Sequence, residues 1–262
     1  MTASRPYFLL SNDDGIYARG LQVLIEELRP YADLLVMAPD GPRSGFGMAF
    51  TVATPISARL VCREDGLTSY ACSGTPVDCI KLALAQYCTR RPDLIISGIN
   101  HGDNSSVNSH YSGTMGAAQE GVLQGFPSIA FSTLSHDPDA DFEPLRPYLA
   151  DLAMRTLKAQ LPPLTCLNVN FPVADSFKGV RVARMANSRW EKEIEPCHVP
   201  RGGSEFYWIT GECRELEPEA TDTDRAALAA GYVAITPTTL DNTAYGLLRA
   251  LNSPDSPFYS DK

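Results

Sequence analysis

Short apolar runs alternate with amphipathic segments along the first half of the chain. Residues 7–10 form an apolar run of strand length, and residues 18–28 repeat their apolar positions with the period of a helix. The same alternation predicts further strands at 33–38, 93–97 and 127–131, β-ribbon strands at 51–62 and 69–72, and helices at 76–88 and 113–124. Strands that alternate with helices are typical of a doubly wound, mostly parallel α/β sheet, whose binding sites lie at the carboxyl ends of the strands.

The alternation is weaker after residue 135. Helices are predicted at 145–160 and 222–230, and strands at 166–171, 180–185 and 232–235. Between them, a segment that contains Trp190 and Trp208 has no clear period. We therefore expect one α/β domain over residues 1–262, in which a core of about residues 1–135 is completed by a C-terminal part of about residues 136–262.

The net charge, the apolar runs and the cysteines of the chain limit the kinds of partner that it is expected to bind. The chain has 22 Lys and Arg residues against 31 Asp and Glu residues, a net charge of −9, which argues against binding of nucleic-acid polymers through general electrostatics. No apolar run approaches the roughly 18 residues of a membrane span, and the seven cysteines include no CxxC pair. We expect a cytoplasmic protein with free thiols and with neither a membrane nor a nucleic-acid partner.

Two adjacent carboxylates follow the first predicted strand, in the segment Asn12-Asp13-Asp14-Gly15. Neighbouring carboxylates repel each other, so a cleft holds both of them only with a cation nearby or with full exposure to water. Gly15 allows the chain to turn so that both side chains reach one ion. An exposed Asp-rich turn that caps the next helix is the alternative, and it is favoured when this segment is considered by itself.

Oxygen donors follow two other predicted strands. Ser44 lies in a glycine-flanked loop after the strand at 33–38. Asn100 follows the strand at 93–97, and Asp103 is a further candidate ligand in the same loop. Ordinary turn residues have the same appearance in a sequence. If the loops converge, a set of ligands made only of oxygen atoms would select Mg²⁺, Mn²⁺ or Ca²⁺ over Zn²⁺.

The helix predicted at 113–124 begins with small and hydroxyl residues, Ser112, Gly113 and Thr114. Free amides and the positive end of the helix dipole make such a start a site for an anion, although ordinary N-capping uses the same residues. His101 and His110 flank the preceding loop and are candidate proton donors to a leaving alkoxide. A cation site beside an anion site is the composition of a metal-assisted phosphoryl hydrolase.

Five ordered motifs resemble those of the SurE (survival protein E) family of 5′/3′-nucleotidases. They are SNDDGI at 11–16, the loop at 38–45, SGTPVDC at 73–79, SGINHGDN at 97–104 and YSGTMGAA at 111–118. Stretches at 168–172 and 221–237 also fit, so that the resemblance spans roughly residues 7–243 in the right order.

The resemblance implies a Rossmann-like core and a C-terminal extension that is exchanged between the subunits of a homodimer, often paired into a homotetramer. The metal ligands of the family carry over onto Asp13, Asp14, Ser44 and Asn100. The phosphate-binding residues carry over onto Asn100, Asn104, Ser112, Gly113 and Thr114.

The expected function is metal-dependent hydrolysis of nucleoside 5′-monophosphates, with 3′-monophosphates as further candidate substrates, and the resemblance implies that some members also act on short polyphosphate. The resemblance implies one Mg²⁺ or Mn²⁺ per subunit, with Ca²⁺ as another ion for the site. Asp13 or Asp14 would orient or deprotonate the attacking water, and a covalent aspartyl-phosphate on one of them is the alternative mechanism. An exopolyphosphatase, another phosphomonoesterase and a non-catalytic nucleotide-binding module are the alternatives. The paired carboxylates disfavour the last, because they repel an anion unless a cation intervenes.

Overall fold

A nine-stranded sheet lies at the centre of the computed structural model, which describes residues 5–197, 205–253 and 256–258. Its strands are β1 (Tyr7–Ser11), β2 (Asp33–Pro39), β3 (Ala58–Glu64), β4 (Leu67–Cys72), β5 (Leu94–His101), β6 (Ser128–Thr133), β7 (Thr165–Phe171), β8 (Val180–Val182) and β13 (Val233–Thr239). They lie in the order β3-β4-β2-β1-β5-β6-β7-β13-β8.

The strand order places a topological switch point between β1 and β5. The strands from β4 through β7 run parallel to their neighbours, whereas β3 is antiparallel to β4 and β13 is antiparallel to β7. From β1 the chain builds outward through β2 and β4, and then returns to place β5 on the other side of β1. The prediction of a doubly wound, mostly parallel sheet is therefore confirmed, and ligands of such sheets bind at the switch point.

Helices cover both faces of the sheet. On one face lie α1 (Arg19–Leu28) and α4 (Arg146–Lys158), and on the other lie α2 (Pro76–Leu82) and α3 (Gly113–Leu123). Because side chains alternate along a strand, Phe8 of β1 enters the core beneath α1, while Leu9 enters the core beneath α2. A strand buried on both faces explains the uninterrupted apolar run at residues 7–10.

Several predicted boundaries are wrong. The strands predicted at 93–97 and 232–235 continue to His101 and Thr239, so that Asn100 lies in β5 itself. The helix predicted at 76–88 is α-helical only to Leu82 and continues as a π-helical turn over Ala83–Tyr87. The strand predicted at 180–185 ends at Val182. The strand predicted at 51–62 begins only at Ala58, because both the backbone amide and the hydroxyl of Thr51 donate hydrogen bonds to Asp78, at the start of α2. The segment before β3 is therefore held at the start of α2 and does not pair with a strand of the sheet.

The segment without a clear period forms two small antiparallel pairs. In one, β9 (Ser188–Glu191) pairs with β12 (Glu212–Glu215), and in the other, β10 (Ile194–Pro196) pairs with β11 (Tyr207–Ile209). The short helices α5 (Asp224–Ala229) and α6 (Tyr245–Leu251) flank β13 in the sequence. Within the described ranges, no helix has the length and apolar character needed to cross a bilayer.

Helix α1 packs closely against β5 at Gly20, near the carboxyl end of that strand. A Cβ added to Gly20 in α1 would lie 2.1 Å from the carbonyl oxygen of Ile99 in β5. We expect Gly20→Ala to lower the free energy of unfolding by about 1–3 kcal/mol, because the extra methyl overpacks this contact. Urea titration of both proteins measures the difference.

Gly246 provides the matched control. It lies in the exposed helix α6, and an added Cβ would meet no atom within 4 Å. Gly246→Ala should leave the stability unchanged or raise it slightly, since alanine favours a helix more than glycine does. Equal stability of the two variants would contradict the packing described for Gly20.

Candidate functional site

The loops after β1, β2 and β5 converge with the start of α3 around a cavity of about 640 Å³. Six of the predicted site residues line it, namely Asp13, Ser44, Asn100, His101, Asn104 and Ser112. The structure therefore brings together side chains that are nearly one hundred positions apart in the sequence. They meet because the carboxyl ends of parallel strands share one edge of the sheet.

A turn that the side chain of Asn12 stabilises directs the side chains of Asp13 and Asp14 to different surroundings. The amide nitrogen of Asn12 donates to the carbonyl of Gly15 at 3.0 Å, and its oxygen accepts the amide of Gly15 at 3.2 Å. The turn needs a φ of +107° at Gly15, which glycine adopts without strain. Asp13 consequently faces the cavity, whereas Asp14 accepts the backbone amide of His101 at 3.1 Å.

The carboxylate of Asp13 is nearly inaccessible, with 3% of the residue exposed. Its pKa is raised to about 6, chiefly because burial disfavours the charged form; the hydrogen bond that it accepts from the hydroxyl of Thr114 lowers the pKa, and the nearby charge of Asp14 raises it. A nearby cation would favour the ionised form of such a group. The environment of Asp13 therefore fits a metal ligand.

Gly113 lets the helix start approach Asp13. A Cβ at position 113 would lie 2.8 Å from the Cβ of Asp13, so a larger residue would push the two apart. At the adjacent N-cap, the hydroxyl of Ser112 accepts the amide of Met115 at 3.1 Å. The amides of Gly113 and Thr114 belong to the first turn and have no partner within the helix. They are available to an anion beside the carboxylate.

The other two candidate metal ligands contribute neutral oxygens. Asn100 donates its amide nitrogen to the carbonyl of Gly102 at 2.9 Å, which leaves the amide oxygen as an acceptor. The loop of Ser44 is held against the first turn because the amide of Arg43 donates to the carbonyl of Asp13 at 2.7 Å. In the part of the chain that the structure describes, no group of three or more His, Cys, Asp and Glu side chains could hold a metal. A cation here would depend on two carboxylates together with hydroxyl and amide oxygens, the ligands of hard ions.

Asn104 is fixed by hydrogen bonds at the rim of the cavity. Its side-chain nitrogen donates to the hydroxyl of Ser132 at 2.8 Å, and its backbone amide donates to the side chain of Asn170 at 3.1 Å. These contacts tie the loop after β5 to β6 and β7.

The three described histidines of this region lie in different surroundings. His101 lines the cavity, with its Nδ1 3.6 Å from Asp14, while its Nε2 is buried and has no hydrogen-bond partner among the described residues. His110 lines a second cavity, of about 690 Å³, next to Met48 and Gln119. The predicted proton donors are thus not brought together. His136, which lacked chemical neighbours in the sequence, lines the first cavity beside Gly102.

Asp103 has hydrogen bonds to both of its carboxylate oxygens. One oxygen accepts the amide of Ser105 at 2.7 Å, and the other accepts the guanidinium of Arg225 at 3.0 Å and the side-chain amide of Asn108 at 3.2 Å. These bonds make Asp103 part of a structural network, although it was considered as a further ligand.

The far wall of the cavity was not predicted from the sequence. It consists of Trp190, Glu193, Ile209, Thr210 and Gly211, which belong to the small antiparallel pairs and their connections. No Lys or Arg lines the cavity in the described ranges, whereas three acidic residues, Asp13, Asp103 and Glu193, do. Both the strand loops and the antiparallel pairs therefore contribute acidic residues to the cavity.

Known proteins resemble this chain over nearly its whole length. The sequence profile described as "Survival protein SurE" matches residues 8–192. A protein of Bacteroides thetaiotaomicron named 5′-nucleotidase SurE is 53% identical over 253 residues, which are 96% of this chain and 97% of the relative. A protein of the same name from Bacteroides fragilis is 53% identical, with 97% of this chain and 99% of the relative covered.

A solved structure agrees with these sequence relationships. The crystal structure of the SurE protein from Aquifex aeolicus has a TM-score of 0.79 to this fold at 34% identity, and the match covers 94% of this chain and 98% of that one. Sequence profile, relatives and structure all span more than half of the chain. The chain belongs to the SurE family.

Proposed function

We propose that this chain is a divalent-metal-dependent 5′-nucleotidase that hydrolyses nucleoside 5′-monophosphates to nucleoside and phosphate. One observation carries the metal dependence: the cavity places a helix N-terminus suited to a phosphate next to the carboxylate of Asp13, with no Lys or Arg in its described lining. A phosphate there would be repelled by the carboxylates unless a cation lay between them. The relatives named 5′-nucleotidase SurE support the substrate class.

The proposed metal ligands are Asp13, Asp14, Ser44 and Asn100, and the ion is Mg²⁺ or Mn²⁺, with Ca²⁺ also suited to this set of oxygens. When bound, the cation would neutralise phosphate charge and lower the pKa of a bound water. The buried position of Asp13 supports the proposal, because a buried carboxylate needs a compensating charge.

The chain's own groups have separate roles in the proposed reaction. The amides of Gly113 and Thr114, the hydroxyl of Ser112 and the side chains of Asn100 and Asn104 hold the oxygens of the phosphate. An aspartate of the pair orients the attacking water and accepts its proton. As the new O–P bond forms, the bond between phosphorus and the nucleoside oxygen breaks in line with it.

The leaving oxygen must also gain a proton. His110 lines the second cavity, and the Nε2 of His101 is buried while its Nδ1 faces Asp14. We therefore propose that water protonates the leaving oxygen and that His101 positions Asp14, since its backbone amide donates to that carboxylate.

The shape and charge of the cavity favour a nucleotide over polyphosphate. Its volume of about 640 Å³ lies within the range of about 300–1,000 Å³ that is usual for pockets of small organic ligands. A chain of phosphates along it would meet Glu193 and Trp190 without any described Lys or Arg. Hydrolysis of 3′-monophosphates at the same phosphate site is a secondary activity that we include in the proposal.

Release of phosphate from nucleotides tests the proposed function directly. We expect release from nucleoside 5′-monophosphates with Mn²⁺ or Mg²⁺ and none with EDTA, because the carboxylates repel the substrate without a cation. A panel of 5′- and 3′-monophosphates and short polyphosphates is assayed under each condition. Release that persists in EDTA would contradict the metal dependence, and release from polyphosphate alone would contradict the substrate class.

Neutralising the paired carboxylates tests their proposed role. Asp13→Asn and Asp14→Asn should each lower kcat by about 10²- to 10⁴-fold, the range found when a positioned acid–base group is lost. The folded state should persist, as judged by circular dichroism and urea titration.

Asp151→Asn is the matched control, because Asp151 lies on α4 in an exposed ion pair with Arg155. Its loss should leave kcat unchanged, since exposed pairs contribute little. Activity of Asp13→Asn or Asp14→Asn within a few-fold of the wild type would rule out the assignment.

We further propose that the chain forms a homodimer or homotetramer, with the C-terminal extension exchanged between subunits. Helix α6 buries none of its residues and exposes Tyr245, Leu247 and Leu248. Val182 of β8 is also largely exposed. Apolar surface of this kind marks an interaction site, and a second copy of the chain would cover it.

Light scattering after size-exclusion chromatography measures the assembly. We expect a mass of two or four chains, and a smaller mass for the double variant Leu247→Glu, Leu248→Glu, because charges in a covered apolar surface oppose association. A single-chain mass for the wild type at every concentration would refute the proposal.

A further inference from the structure

The lining of the cavity has two parts of different character. In the part formed by the strand loops, Asp13, Asn100 and Ser112 present carboxylate, amide and hydroxyl groups beside the start of α3. In the other part, the small antiparallel pairs present the indole of Trp190 together with Ile209. A ligand with a phosphate at one end and a flat, largely apolar ring at the other has the same distribution of polarity.

Charge fixes the direction in which such a ligand would lie. Glu193 lines the cavity at the end of the antiparallel pairs, and no described Lys or Arg of the lining offsets it. A phosphate placed there would be repelled and would meet no helix N-terminus, whereas the free amides at the start of α3 and the proposed cation would hold it. The phosphate therefore belongs at the helix start, and the remainder of the ligand extends toward Trp190.

The indole of Trp190 offers a π surface rather than a hydrogen-bonding group. Its one polar atom, Nε1, donates to the side-chain oxygen of Asn108 at 3.0 Å. Trp190 is half-buried in β9, where it pairs with Cys213 of β12. The ring can therefore bind a ligand in the cavity only through stacking and apolar contacts.

A chain of hydrogen bonds sets the orientation of this ring. Asn108, which accepts the indole N–H, donates its own side-chain nitrogen to Asp103 at 3.2 Å. Asp103 in turn accepts the guanidinium of Arg225 at 3.0 Å. The strand of Trp190 is also anchored nearby, because the hydroxyl of Ser188 donates to that of Ser106 at 2.8 Å. Hydrogen bonds thus fix both the indole nitrogen of Trp190 and the strand that carries it, so the ring is preorganised for a ligand.

We propose that Trp190 is a specificity-determining residue, on whose indole face the base of the nucleotide stacks. The inference rests on the proposed function, and it adds that the enzyme selects nucleoside monophosphates over phosphate esters of the sugar alone. Asn108, Asp103 and Arg225 act as positioning residues that hold the ring. Base–aromatic stacking tolerates any base, so purine and pyrimidine nucleotides would both use this surface.

Two substrates that differ only by the base separate stacking from structural effects. Adenosine 5′-monophosphate and ribose 5-phosphate present the same phosphate and sugar. We expect Trp190→Leu to lower kcat/KM for the nucleotide by about 5- to 150-fold, the loss that corresponds to one stacked base. With ribose 5-phosphate, kcat/KM should change by less than about twofold, because this substrate has no group at the ring. Trp190→Phe, which keeps an aromatic face, should give a smaller loss with the nucleotide.

Trp208 supplies the matched control. It is the other tryptophan of the chain, lies 70% exposed on β11, and does not belong to the described lining of the cavity. Trp208→Leu should leave kcat/KM unchanged for both substrates. A loss of equal size for both substrates in Trp190→Leu and Trp190→Phe would show that Trp190 only supports the fold, and no loss for either would show that the base binds elsewhere.

A binding experiment keeps this inference separate from the proposed activity. In Trp208→Leu protein, Trp190 is the sole remaining tryptophan, and adenosine, which has no phosphate, should quench its fluorescence while ribose should not. If no phosphate ester is hydrolysed but adenosine quenches Trp190, the proposed activity fails and the base-binding surface stands. Absence of quenching by adenosine and by adenosine 5′-monophosphate would overturn the inference even in an active enzyme.

Discussion

The contact between Asp13 and the first turn of α3 is the constraint on which the site depends. The carboxylate accepts the hydroxyl of Thr114, and Gly113 leaves just enough space for the helix to reach it. The carbonyl of the same aspartate accepts the amide of Arg43 and so fixes the loop that carries Ser44. One buried residue thus sets the relative positions of β1, the loop after β2 and the start of a helix.

The burial of Asp13 at this contact is unfavourable for the stability of the fold alone. Burying a carboxylate costs free energy, and the raised pKa of Asp13 records that cost. Proteins tolerate such groups mainly where function requires them, because a structural role could be filled by a neutral residue. The same reasoning makes the proposed metal the compensating charge that the site is built to receive.

The phosphate end of the site could be predicted from the sequence because local rules determine it. Asp13, Asn100 and Ser112 each follow a recognisable strand or begin a recognisable helix, and parallel strands place such loops at one edge. The far wall obeys no comparable rule. The strand that carries Trp190 and its partner β12 are each only four residues long, too short for the sequence to show a clear alternation of apolar and polar positions. The contact of His136 with Gly102 could not be predicted from the sequence either, because it depends on tertiary packing alone.

The two ends of the cavity also differ in how firmly the fold holds them. The proposed catalytic end stands on β1 and β5, central strands that are buried on both faces, and such strands open only when the whole domain unfolds. The opposite end stands on short strands at the surface, and local opening is least costly in elements with few buried contacts. Local opening of the wall around Ile209 would therefore leave the groups on β1 and β5 in register.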